Sequence, residues 1–372
     1  MTIFQYIKKY GAFSFKQKPF NEVDNVILSF LAYLEFPDQL EDGITLQSFG
    51  TSLLEDDERV KKMKQDILSV RGSLKLLKAV YQQKRYRELQ LFYREQEITE
   101  TSQFSAITFR FPDGVCYVAF EGTDAMISGW REDLEMAIQF PVEAQKRAIS
   151  YLNRHFTFGH APLIVGGHSK GGHLALVGSM YANFLVRRKI QKIYSNDGHG
   201  LMDFVYRSPL YKKIKERYVH IIPNYAFVGI LLRNDPDYEV VSSSHIGLEA
   251  HYALYWVVEE DHFKRTRLSK FSKILEQGFS TWLNQYSLEE RQQFVDDVFL
   301  VFEQSDINSL IDVKKSFTST LKLIRSSVLV SDHVKQMIKE LITILNQAGA
   351  DHFGEKVAME KKEGELYEAD YL

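Results

Sequence analysis

The chain has 372 residues, 45% hydrophobic and 26% charged, with a formal net charge of -3, which are the proportions of a soluble globular protein able to bury a sizeable core. Lys and Arg are scattered rather than striped, which argues against a nucleic-acid partner, and no run approaches the roughly eighteen apolar residues of a bilayer span, so no stable membrane insertion is expected. A single cysteine, Cys116, excludes an intramolecular disulfide; with no signal-type apolar run behind Met1, the expected location is the cytoplasm.

Taken in chain order, residues 21–34 place Val23, Val26, Ile27, Phe30, Leu31 and Leu34 at helical spacing, with Asn21 as N-cap. Residues 52–86 are charged and helical around Leu74, Leu77, Ala79 and Val80, as a scaffold or a flap would be. Strand runs at 104–111 and 114–121 flank Pro112-Asp113-Gly114, which predicts a hairpin. Strands at 163–167, 190–195, 217–222 and 238–242 alternate with helical patterns at 142–153, 172–187 and 203–215. Such alternation predicts crossover units and a largely parallel sheet covered on both faces. Beyond about residue 266 the strands cease, Ser287-Leu288-Glu289-Glu290 is a capping box, and two more helices follow to about 348. The chain divides into an N-terminal helical segment (1–95) packed on an α/β core (96–265), a C-terminal helical extension (266–350) and a tail (351–372) whose Glu- and Lys-rich composition predicts disorder.

The run Leu163 to His168 leads into Gly167-His168-Ser169-Lys170-Gly171 and leaves as an apolar helix, the local context of a nucleophile elbow. Small neighbours at 167 and 171 permit the strained turn that presents Ser169, and the following helix points its first amides at a developing oxyanion. A serine nucleophile needs a base and an orienting carboxylate. Asp197 stands in Ser195-Asn196-Asp197-Gly198, just past the next strand end, and is the candidate acid; the bland reading of the same residues is a turn-forming Asp before Gly. Five histidines follow it. His220 lies inside an apolar strand pattern, which reads as packed. His245 and His251, in and just after a Ser- and Gly-rich loop, remain equal candidates. Upstream, the strand ending at Gly122-Thr123 brings a backbone amide to the sheet's top edge, where Thr123 and Lys170 together supply two oxyanion donors. The bland reading there is an ordinary turn with Trp130 as a core anchor. No His-Glu-x-x-His or cysteine cluster appears, so neither metal nor organic cofactor is implied.

Phe120-Glu121-Gly122-Thr123-Asp124, Gly129-Trp130-Arg131-Glu132-Asp133-Leu134 and Gly167-His168-Ser169-Lys170-Gly171-Gly172 together resemble the class 3 (fungal-type) lipase pattern of the α/β-hydrolase superfamily. More closely, Pro19 to Asp24, His168 to Gly172 and Asn196 to Gly198 resemble the Mbeg1-like (DUF2974) bacterial proteins, over about residues 10–260. The resemblance implies an α/β-hydrolase fold with N- and C-terminal helical additions, Ser169 as nucleophile, Thr123 and Lys170 as oxyanion donors, and His251 in the position of the family's histidine. It departs from the lipase pattern in two places. Glu121 stands where those lipases usually carry Arg, and the stretch after the following strand, Ile222 to Ala226, holds no carboxylate before Asp235 and Asp237, so either Asp197 serves from one strand earlier or Asp235 is the acid. His199 stands where the related proteins tend to have proline. The expected function is a lipase- or esterase-like serine hydrolase acting on a small-molecule or lipid acyl ester. The rival is a catalytically inactive module that keeps the fold and uses the elbow or the C-terminal helices for binding. Separately, the C-terminal helices offer a surface for a homo-oligomer. A third reading, lipid-surface binding through amphipathic helices near 320–346, is weaker because Lys322, Arg325, Lys335 and Lys339 are offset by acids and such stripes are usually core.

Overall fold

The apolar and alternating runs after residue 89 pair into one seven-stranded sheet in the computed structural model, which describes residues 1–37, 39–99, 102–123, 127–304, 321 and 324–363. Its strands lie side by side in chain order: β1 (Gln90–Ile98), β2 (Gln103–Arg110), β3 (Cys116–Phe120), β4 (Leu163–His168), β5 (Ile190–Asn196), β6 (Tyr218–Pro223) and β7 (Glu239–Val241). β1, β2 and β3 are antiparallel neighbours, and β3 through β7 run parallel. Strand β1 is an addition to the expected set. Its charged sequence and a register break between Phe92 and Glu95, where Tyr93 takes φ +56°, obscure the alternation and suit an edge strand.

Adjacent residues on a strand face opposite ways, and each face has its own cover. Tyr117, Ile164, Tyr194 and Ile221 face the N-terminal layer of α1 (Ile3–Tyr10), α2 (Glu22–Leu31), α3 (Leu46–Glu55), α4 (Asp57–Gln65) and α5 (Leu68–Val80), in one cluster with Val26, Ile27, Phe30 and Leu77. Val118, Val165 and Ile193 face the other way, into a cluster with Ala148, Leu152, Leu174 and Val177. That second layer holds the connections between parallel strands: α6 (Ile127–Glu135), α7 (Glu143–Phe156), α8 (Lys170–Tyr181), α9 (Phe184–Arg187), α10 (Asp203–Tyr206) and α11 (Pro209–Ile214). The helical pattern at 203–215 is broken into two by Ser208, which caps α11, and Pro209 at its first position.

Helix α2 is pinned by charge as well as by apolar contact. Asn21 caps it, while Asp24, fully buried, accepts from Arg85 Nε at 2.8 Å and Tyr86 Oη at 2.7 Å. A buried ion pair of this kind repays its desolvation only when its hydrogen bonds are made, and here the guanidinium also reaches the carbonyls of Lys18 and Pro19.

After the short hairpin β8 (Val258–Glu259) and β9 (His262–Phe263), the chain becomes helical: α12 (Lys270–Gln285), α13 (Leu288–Gln304) and α14 (Asp332–Glu363). Their apolar stripes, among them Leu275, Phe279, Val298, Val334, Ile338 and Leu341, bury one another in a third cluster. The stripe that suggested a lipid surface is therefore core; Lys322 lies outside the described residues. Helix α14 continues to Glu363, beyond the point where composition predicts disorder, and residues 364–372 lie outside the described set. Among the described residues no helix is long and apolar enough to cross a membrane.

Candidate active site

Three adjacent parallel strands each deliver one candidate residue just past their carboxyl ends: Thr123 after β3, Ser169 after β4 and Asp197 after β5. Ser169 takes φ +57° and ψ -131°, the strained turn between β4 and α8. The glycines around it answer to close approach: a Cβ on Gly171 would lie 2.1 Å from the Phe120 carbonyl oxygen, and one on Gly167 2.3 Å from the Gly171 carbonyl carbon. Ser169 is held from both sides, its N–H donating to Asn196 O at 3.0 Å and its carbonyl accepting from Gly172 N at 2.9 Å.

Asp197 is fully buried and also left-handed, with φ +50°, a conformation Asp tolerates better than most residues. Its N–H donates to Ile221 O at 2.8 Å. Its two carboxylate oxygens have different partners: Oδ1 accepts from Gly229 N at 3.0 Å and Oδ2 meets His251 Nδ1 at 2.6 Å. A carboxylate acceptor fixes Nδ1 as the protonated nitrogen of neutral His251 and leaves Nε2 as the ring's base. Of the two histidines left open by the sequence, His251 is the one brought to the acid. His245 stacks on Tyr255 with ring centroids 3.6 Å apart and lies within 3.0 Å of the Ser244 hydroxyl.

His251 closes a short turn, residues 247–251, whose shape depends on the N-terminal layer. Trp256 Nε1 donates to Ala250 O at 3.0 Å, and Tyr252 packs edge-on against Phe30 of α2. His168, next to the serine, completes the link: its Nε2 lies 2.7 Å from His251 O, its Nδ1 3.1 Å from Tyr33 Oη, and its ring 4.6 Å from that of His251. A carbonyl only accepts, so Nε2 carries the hydrogen and Nδ1 accepts from the tyrosine. Burial pushes the pKa of His168 well down, which keeps it neutral in this role. Sequence reasoning passes over His168, because its partners lie 135 and 83 positions away.

The segments carrying the two candidate oxyanion donors are organised by two consecutive acids on α6. Lys170 is the first residue of α8, so its backbone amide has no intrahelical acceptor. Its side chain turns inward to Glu132 Oε2 at 2.5 Å, both groups 1% exposed. Glu132 takes three further donors, Ser102 Oγ, Gln103 N and Ala144 N, at 2.8, 3.1 and 2.8 Å. The next residue, Asp133, accepts from Thr123 Oγ1 at 2.6 Å. Burial pushes the pKa of Asp133 up to about 6, against the pull of Lys170 and the Thr123 hydrogen bond. Glu132 and Asp133 thus tie the two donor-bearing segments to one helix. Asp124 lies outside the described residues, and Trp130 is 38% exposed on α6 rather than a core anchor.

The departures from the lipase pattern have local explanations. Glu121 meets buried Arg94 of β1 and the Ser105 hydroxyl, so an acid at this position draws its cation from the edge strand. His199 stacks on His173 at 4.1 Å, and His173 in turn lies 2.8 Å from Gln145 Nε2. Asp235, the alternative acid, is engaged elsewhere, with Lys215 Nζ at 2.9 Å and Tyr211 Oη at 3.0 Å. Among the described residues no group of three or more His, Cys, Asp or Glu side chains is placed to hold a metal ion.

No curated protein and no solved structure matches the chain. The Mbeg1-like family profile matches residues 80–300, a span that includes β1 to β7, the candidate residues Thr123, Ser169, Lys170, Asp197 and His251, and the C-terminal helical layer only as far as α13. With more than half of its length matched, the chain belongs to the Mbeg1-like family.

Proposed function

We propose that the protein is a serine hydrolase of α/β-hydrolase type, cleaving an ester or related acyl bond through an acyl-enzyme. The observation that carries this reading is the 2.6 Å contact between His251 Nδ1 and buried Asp197, one strand end away from a serine at φ +57°. Ser169 Oγ attacks the acyl carbon while His251 Nε2 takes its proton, and Asp197 stabilises the imidazolium through Nδ1–H. The carbonyl oxygen, now anionic, accepts from the amides of Thr123 and Lys170, each donor of this kind being worth about 10²–10³ in rate. Collapse breaks the bond to the leaving alkoxide, which receives the proton from His251. Water then attacks the acyl-enzyme by the reverse proton path and frees Ser169. The two departures from the lipase pattern leave no group without a partner: His251 meets Asp197, as the reading requires, and Arg94 meets Glu121.

The test is covalent labelling with a fluorophosphonate, read by mass spectrometry of the peptide spanning Ser169. A single adduct on Ser169 supports the reading. A folded protein that never labels, or labels elsewhere, overturns it.

A further inference from the structure

A concave site lies beside β6 and the approach to β7, lined by none of the candidate active-site residues. It is a cavity of about 260 Å³, at the small end of ligand sites, which run from about 300 Å³ upward; its occupant is therefore a head group or a very small molecule. Four rings shape it. Tyr218 and His220, two apart on β6, lie nearly parallel at 22° with centroids 5.8 Å apart and make the floor. Tyr211 stands at 73° to Tyr218, and Tyr238 at 81° to His220, so walls rise at the two ends of that floor.

The floor carries unused hydrogen-bonding capacity. His220 is 3% exposed, and neither of its ring nitrogens has a hydrogen-bond partner, whereas the Tyr218 hydroxyl lies beside that of Ser195. The backbone of Gly198 lies beside the imidazole but outside hydrogen-bonding geometry. Buried polar atoms are nearly always paired, so unpaired ones facing a cavity point to an absent partner. Burial also pushes the pKa of His220 down to about 4 and leaves the ring neutral, so it does not repel a cation.

The lining is acidic: Asp235, Asp237 and Glu216 face one cation, Lys215. Lys215 Nζ lies 2.9 Å from Asp235 and 3.5 Å from Asp237, and its side chain is 46% exposed against 6% for Asp235. A flexible lysine reaching in from solvent to a buried carboxylate is a replaceable partner. The faces of tyrosine rings attract cations, and more strongly where water is excluded.

We propose that this cavity binds the ammonium group of a small organic cation, held by the rings of Tyr211, Tyr218 and Tyr238 and paired with Asp235 in place of Lys215. The proposal is independent of the hydrolase reading, since it uses none of the residues assigned to that chemistry. A free amine and the head group of a choline lipid present the same chemistry, and the assay separates them.

The experiment is calorimetric titration of the full chain with choline chloride, with 3,3-dimethylbutan-1-ol as its uncharged isostere, and with a soluble short-chain phosphatidylcholine. Saturable binding of one choline per chain is expected, with the isostere at least about tenfold weaker, in line with a cation held over rings where water is excluded. The lipid binding more tightly than choline would identify a head group, and the reverse order a free cation. Two substitutions should act in opposite directions: Lys215→Gln removes the competitor and tightens choline binding several-fold, whereas Asp235→Asn weakens it about tenfold. Tyr238→Leu, at a half-buried position, should also weaken binding and serves if Asp235→Asn fails to fold. No saturable binding of choline to wild type or to Lys215→Gln overturns the proposal. So does equal binding of the uncharged isostere, or a shift in the same direction for Lys215→Gln and Asp235→Asn.

Discussion

Two corners of the sheet each hold an aspartate and a lysine, and they treat them in opposite ways. At the first, after β4 and β5, Asp197 is 0% exposed and Lys170 1%, and each has a fixed partner inside the protein, His251 for the acid and Glu132 for the lysine. At the second, after β6, Asp235 is nearly buried but its lysine partner, Lys215, is half in solvent. A charge-assisted bond between buried groups holds direction because neither partner can exchange it for water, while an exposed ammonium gives up its carboxylate at little cost. The first corner has the rigidity that proton transfer needs, and the second has a partner that can leave.

The sharpest way to break this contrast is to exchange the fates of the two corners by mutation. Ser169→Ala should abolish fluorophosphonate labelling and lower turnover by on the order of a millionfold, with the fold unchanged by circular dichroism. Next in size, Asp197→Asn should lower kcat by about ten-thousandfold, because a neutral amide no longer holds the catalytic tautomer of His251. Asp235→Asn should leave steady-state turnover within about twofold of wild type, since its carboxylate is committed to Lys215 and Tyr211. Loss of turnover in Asp235→Asn with Asp197→Asn active would place the acid on the later loop.

How much of this contrast is legible in the sequence depends on distance along the chain. The elbow, the hairpin turn at Pro112-Asp113-Gly114 and the strand end at Asn196-Asp197-Gly198 are local patterns, and the structure has β2 to β7 where the hydrophobic periodicity predicts them. The acid is readable as a carboxylate at a strand end; that it is this one and not Asp235 depends on where the turn at 247–251 folds, which no local pattern encodes. Glu132 and Asp133 look like ordinary acids on a helix, because what distinguishes them, Lys170 38 positions away and Thr123 across a loop, is tertiary. The N-terminal layer is legible as helices but not as the cover of a whole sheet face, and so the dependence of His251 on Phe30 and Tyr33, through Tyr252 and His168, is hidden as well.

Lys170 sharpens the comparison from the other direction. Lys170→Met keeps the backbone donor and most of the volume but leaves Glu132 buried without its cation, a change that typically costs about 3–5 kcal/mol. Glu132 keeps three other donors, so the lower figure is expected in urea unfolding. Through Asp133 and Thr123 the same substitution loosens the oxyanion segment, and kcat should fall about tenfold to a hundredfold with KM nearly constant, the signature of an interaction made in the transition state. Adding Glu132→Gln should recover most of the stability by removing the unpaired charge. Lys215→Met, at the exposed pair, should change stability by about 1 kcal/mol or less. Equal losses for Lys170→Met and Lys215→Met would dissolve the distinction between the corners.

The smallest effect separates the corners by the sign of a pH dependence. Burial raises the folded-state pKa of Asp133 to about 6, against an unfolded value of about 3.9. A carboxyl that stays protonated longer in the folded state favours folding below the unfolded pKa, and that advantage is lost as pH rises through about 6. Wild type should therefore lose stability relative to Asp133→Asn between about pH 4 and 7, by on the order of 2–3 kcal/mol, with the difference flat above that range. Asp235 behaves in the opposite sense. Burial alone would raise its pKa, but the bonds from Lys215, the Asp237 amide and Tyr211 outweigh it and hold the carboxyl below its ordinary value. Its contribution is present at neutral pH and disappears as pH falls through the lowered folded-state pKa, so Asp235→Asn should be less stable than wild type at pH 7 and converge with it in acid. Urea midpoints for the two variants and wild type across pH 3–8 decide the matter. Difference curves that slope the same way would mean that burial does not raise the pKa of the carboxyl beside Thr123, and that the two corners differ in exposure alone.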